Sequence, residues 1–126
     1  MTLDDVREML LCEVCGGEHL LDRPVRFGCA SDLMSDVLAF SQAGALLLTG
    51  LATTQTVQTA DIADLSAIIL VRGKKPDAAV IAFARDRSMP LLATPFSMYE
   101  ACGLLYRSGI PSTMKCAVGP DVSDAG

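Results

Sequence analysis

The sequence predicts an α/β fold of three layers, α/β/α, around a mainly parallel sheet. Three short apolar runs, residues 45–49 (ALLLT), 67–71 (AIILV) and 91–93 (LLA), succeed one another with helix-like segments between them. Each run is apolar at consecutive positions instead of alternate ones, the pattern of strands covered on both faces. Strand–helix repetition then lays such strands side by side, with right-handed crossovers.

Taken in order, residues 2–11 read as a helix. Thr2 is placed to cap it, Asp4 and Asp5 sit in the first turn where the dipole favours anions, and Leu3, Val6, Leu10 and Leu11 share one face. Residues 12–14 read as a short strand broken by Gly16 and Gly17, and residues 24–30 as a second strand. Ser31 and Asp32 then open a helix over residues 33–40 with Ser31 as the expected cap, and Gly44 ends that region. After the run at 45–49, Thr53 or Thr54 starts a helix to about Leu65, and after the run at 67–71, Pro76 and Asp77 open a helix through Ala84 and Arg87. Thr94 followed by Pro95 predicts the start of a last helix from Phe96 to about Arg107, since threonine at the cap and proline in the first turn are favoured there. Residues 1–111 thus form one domain, and residues 112–126, without apolar periodicity, read as a disordered tail.

A chain of 126 residues is long enough for one core. Its hydrophobic fraction of 51% and mean hydropathy of +0.40 exceed what a core alone requires, and predict an apolar interface: a homodimer, with room for a further protein partner. The net charge of −5 argues against nucleic acid, which needs a basic footprint, and against anionic membrane surfaces. No apolar stretch reaches the length of a membrane span, and the charged start (MTLDDVRE) lacks the basic and apolar regions of a secretion signal. The five cysteines then read as reduced thiols, and the expected location is the cytoplasm.

In a parallel sheet a ligand sits beyond the carboxyl ends of the strands. Three loops leave such ends here, and they carry Thr49, Gly50 and Thr53; Arg72, Gly73 and Lys74; and Thr94. Each leads towards a helix N-terminus, whose free N–H groups suit a small anion such as a nucleotide phosphate. Arg72, Lys74 and Lys75 are the one dense cation cluster of an acidic chain. The same glycines also serve tight turns and the threonines helix caps, and neither the phosphate-loop nor the dinucleotide glycine motif is present.

Cys12 and Cys15 are spaced as half a zinc ribbon, with His19 close behind and Cys29 as a possible fourth ligand. On a strand, however, these two cysteines point to opposite faces, and no second such pair follows. Cys102 falls in the last helix and Cys116 in the tail. His19 is the only histidine and stands far in sequence from the strand-end loops, so no nucleophile–base pair is evident, and Asp32, Ser35 and Asp36 read as helix-start polar residues. No cofactor is called for.

Residues 21–25 (LDRPV) with 30–37 (ASDLMSDV), 67–77 (AIILVRGKKPD), and 89–95 (MPLLATP) leading into Tyr99, Glu100 and Ala101 resemble the small DRTGG domains over residues 1–110. Leu48-Thr49-Gly50-Leu51 and Val71-Arg72-Gly73 stand where that family carries its Asp-Arg and Thr-Gly-Gly motifs. The resemblance implies a fold similar to the N-terminal domain of HPr kinase/phosphorylase, and a regulatory or dimer-forming role like that of DRTGG domains beside CBS domains and in phosphotransacetylases. Stand-alone versions accompany iron-only hydrogenase genes, which implies a link to that metabolism. The expectation is therefore a non-catalytic regulatory or protein-interaction domain. The alternatives are a sensor of an anion or adenine nucleotide, and a cysteine-based metal or redox protein.

Overall fold

The computed structural model describes residues 1–113. Eleven elements follow in chain order: α1 (Leu3–Met9), β1 (Glu13–Gly16), a single 3₁₀ turn (Glu18–Leu20), β2 (Phe27–Ala30), α2 (Met34–Phe40), β3 (Ala45–Thr49), α3 (Thr54–Ile62), β4 (Ala67–Leu70), α4 (Ala78–Asp86), β5 (Leu91–Ala93) and α5 (Met98–Arg107). The strands form one sheet in the order β1-β5-β4-β3-β2, parallel except for β1, which runs antiparallel to β5 at the edge. This is the expected α/β/α architecture.

Side-chain alternation along the strands sets the layers. Leu47 of β3 and Ile68 and Leu70 of β4 face a core with Val37 of α2, Val57 and Ala60 of α3, and Val80 and Ala84 of α4. Leu46 and Leu48 of β3 and Ile69 of β4 face the other core, with Leu3 and Val6 of α1 and Ala101 and Leu105 of α5. Leu46, Leu47 and Leu48 are all at most 1% exposed, so an unpaired polar side chain at any of the three would be buried at a cost. Each leucine contributes about 1.5–3 kcal/mol by leaving water.

Local chemistry fixes most helix ends. Thr2 caps α1 in a reciprocal capping box with Asp5, Thr53 caps α3 by accepting from Thr56 N, and Asp77 caps α4 by accepting from Val80 N. Two expected caps differ. Ser31 does not cap α2: it lies two residues before the cap position, its Oγ accepts from Leu33 N at 3.0 Å, and the helix starts at Met34 without a side-chain cap. Thr94 does not cap α5 either. Its hydroxyl donates to Leu10 O at 2.6 Å, beneath the chain leaving α1, and Ser97 caps the helix by accepting from Glu100 N.

Two strand limits also differ. β1 runs on through Gly16, with a register shift between Val14 and Gly16, and β2 begins at Phe27, because the preceding residues pair with the amino-terminal segment through Val25 N and Met1 O. Beyond α5 the chain returns along the outer edge of β2, where Gly28 N donates to Pro111 O and Thr113 N to Gly28 O. The expected tail lies, from residue 114 on and including Cys116, outside the described residues.

Candidate functional site at the strand rim

Parallel pairing brings four strand ends to one rim. Ala30 lies opposite Leu48, Thr49 opposite Leu70, and Leu70 opposite Ala93, so the residues that follow each strand emerge together. The loop after β4 is tied down by its backbone: Arg72 N donates to Phe96 O and Gly73 N to Thr94 O, both at 2.8 Å. Arg72 and Gly73 both adopt left-handed backbone, with φ of 61° and 68°. For glycine this costs little, whereas for arginine it costs of order 1 kcal/mol and needs support from the surroundings, here the bonds to the loop after β5.

That turn lays the Arg72 side chain across the end of β3. A Cβ on Gly50 would stand 2.8 Å from Arg72 Nη2 and 3.5 Å from Asp32 Oδ1, so the bare backbone of Gly50 is what admits the guanidinium. Asp32, from the end of β2, reaches over the same spot. Its Oδ1 accepts from Thr49 Oγ1 at 2.9 Å and from Gly50 N at 2.7 Å. The Gly50 N–H and the Thr49 hydroxyl hold the Asp32 carboxyl below its ordinary value, with smaller help from the charges of Arg72 and Lys74 and some opposition from burial. Thr49 itself is wholly buried.

The rim thus brings together Thr49, Gly50, Arg72 and, through its charge, Lys74. It leaves Thr53 and Thr94 engaged elsewhere, one capping α3 and the other buried against Leu10 O. Arg72 and Lys74 are exposed, and among the described residues neither makes an ion pair within 4 Å; Lys75 by contrast pairs with Glu13 of β1. With Asp32 counted against Arg72 and Lys74, the rim keeps one net positive charge in a chain whose total is −5. Asp32 is the site residue that the sequence reading misses, having been assigned to the start of α2. The available signal was its position two residues past a strand that ends at the same rim.

The metal alternative finds no common centre. Cys12 packs against the core under α1 and α5, Cys15 against the core under α2, α3 and α4, and His19 is exposed on the 3₁₀ turn. Cys29 is buried on β2, at the far edge of the sheet from β1. Among the described residues no group of three or more His, Cys, Asp and Glu side chains is placed to share a metal. Burial pushes the Cys12 thiol up to about 12, and raises Cys15, Cys29 and Cys102 as well, so none of the four is an activated thiolate.

The sheet order and the helix layers define a three-layer α/β/α domain with a DRTGG-like fold. Among solved structures, the chain is similar to the crystal structure of the CBS and DRTGG domains of the regulatory region of Clostridium perfringens pyrophosphatase, complexed with its activator, diadenosine tetraphosphate. The TM-score is 0.70 at 18% identity, covering 98% of this chain and 58% of that one, so the likeness is one of fold and this chain spans a little over half of that structure. No protein-family model matches the chain, and no curated protein matches it. No helix among the described residues is long and apolar enough to cross a membrane.

Proposed function

We propose that this protein is a non-catalytic regulatory domain that senses a small anion, of the nucleotide phosphate class, at the strand rim. The observation that carries this reading is Arg72. Its strained backbone is held by the neighbouring loop, its guanidinium rests on the bare backbone of Gly50, and it has no carboxylate within ion-pair distance among the described residues. A cation so placed, with Lys74 beside it, is available to a phosphate, for which the planar guanidinium offers paired donors. The activator bound by the structurally similar pyrophosphatase regulatory region is itself a nucleotide, which is consistent with this class.

A regulatory role fits the rim better than catalysis. The rim's hydroxyl–carboxylate pair, Thr49 with Asp32, has its hydroxyl wholly buried, and the lowered pKa of Asp32 makes it a weaker base. Self-association completes the proposal: Tyr99 and Tyr106 stand 89% and 75% exposed on α5, at a spacing that puts both on one face, as an apolar contact between two copies would need. A cytoplasmic location and a link to iron-only hydrogenase metabolism rest on the thiol content and on the family resemblance respectively.

The test is thermal melting with ATP, ADP and inorganic phosphate, on the wild type and on Arg72→Ala. A ligand that binds the folded state alone raises the melting temperature with the logarithm of its concentration. The proposal expects such a rise with at least one of the three, and its loss in Arg72→Ala. No rise with any, or an equal rise in the variant, contradicts it.

A further inference from the structure

Beside the rim, a pocket of about 290 Å³ opens between α5, the edge strand β2 and the returning segment that ends at Thr113. Its walls include Leu48, Leu105 and Ile110, with the thiols of Cys29 and Cys102, while exposed Ala30 stands at its border. No charged side chain lines it among the described residues. The described walls thus offer an ionised ligand no counter-charge, which favours a neutral one. The volume is roughly twice that of a cavity that holds benzene, room enough for two fused rings.

One polar feature singles out the ligand further. Thr113 lines this pocket, is 5% exposed, and among the described residues its buried Oγ1 makes no hydrogen bond of ordinary geometry. Its near neighbour is the Cys29 thiol, a weak donor whose ionisation the hydroxyl assists. A buried hydroxyl without a partner costs about 1–3 kcal/mol, which a ligand donor would recover. We propose that the pocket between α5 and β2 binds a neutral, two-ring aromatic compound carrying one hydrogen-bond donor that pairs with Thr113 Oγ1. The proposal is independent of the anion site at the rim, and stands or falls separately.

The probe is indole, compared with indene, which has the same shape without the N–H, and with indole-3-acetate, which adds a charge. The full chain is treated with N-ethylmaleimide under each condition, and labelling is read peptide by peptide. Cys15, on the opposite sheet face, is the internal reference, and the melting temperature is a second readout. Indole is expected to slow labelling of Cys102 in step with occupancy, roughly tenfold at nine times its Kd, and to raise the melting temperature. Indene should protect more weakly and indole-3-acetate not at all, Thr113→Val should equalise indole and indene, and Ala30→Phe, at an exposed position, should abolish protection. If indole neither slows Cys102 nor raises the melting temperature, or if it acts equally on Ala30→Phe, the proposal is overturned.

Discussion

Replacing Asp32 by alanine removes the acceptor that ties the end of β2 to the end of β3. The buried hydroxyl of Thr49 and the N–H of Gly50 both lose their partner, at 2.9 and 2.7 Å respectively. Bonds to a charged acceptor are worth about 1.5–3 kcal/mol each when dry, but Asp32 is exposed and solvent screens its charge, so each is taken at about 1 kcal/mol. The sum of about 2 kcal/mol corresponds to a fall in melting temperature of about 8 °C for a domain of this size. Asp32→Asn keeps one oxygen acceptor and loses the charge, so about half the effect is expected.

The pH dependence separates this account from a packing defect. The folded state holds Asp32 below its ordinary carboxylate value, so the charge-dependent part of its contribution is complete above that value. It is lost as the pH falls through the lower, folded-state value. Urea melts should therefore show a constant gap between wild type and Asp32→Asn from about pH 7 to about pH 5, which closes on further acidification. Asp32→Ala as stable as the wild type at neutral pH, or a gap to Asp32→Asn that stays unchanged into acid, would refute the reasoning.

Other consequences follow from the same geometry. Gly50→Ala places a methyl group against Arg72 Nη2, the end of a flexible chain, so the protein should fold with a melting temperature within about 3 °C of wild type while losing its response to anions in the melting assay. Thr94→Val leaves the Leu10 carbonyl without its donor under a wholly buried side chain, and should cost about 1–3 kcal/mol in urea unfolding. Cys12, with its thiol pushed up to about 12 from an ordinary 9.0, carries about a thousandfold less thiolate than in the unfolded chain. Iodoacetamide should accordingly alkylate it at least about a hundredfold faster in denaturant than in the native protein, as followed by mass spectrometry.

The parallel sheet was legible because β3, β4 and β5 are apolar on both faces, and no other common arrangement buries consecutive leucines and isoleucines so completely. The meeting of Gly50 with Arg72 at one rim followed from that reading. What the sequence obscured was which polar side chain serves which neighbour. Thr94 before Pro95 has the chemistry of a cap, yet its hydroxyl is taken by Leu10 O, 84 residues earlier in the chain, a contact that no local pattern reveals. Asp32 next to a helix start likewise satisfies a local rule, while its actual partners lie at the end of the adjacent strand. The antiparallel β1 and the return of the chain along β2 were hidden for the same reason, since both depend on pairing between distant segments. Cys12, just before β1, and Cys15, within it, pack against different cores, the separation that alternation predicts for a strand through both.

The claim on which this account most depends is that the rim around Gly50 and Arg72 receives an anion. Amide chemical shifts of ¹⁵N-labelled protein, recorded while ADP is titrated, examine it residue by residue. Saturable shifts of the Gly50 and Gly73 amides, absent from Arg72→Ala, are the predicted result. Shifts confined to other surfaces, or unchanged by removing the guanidinium, would contradict it.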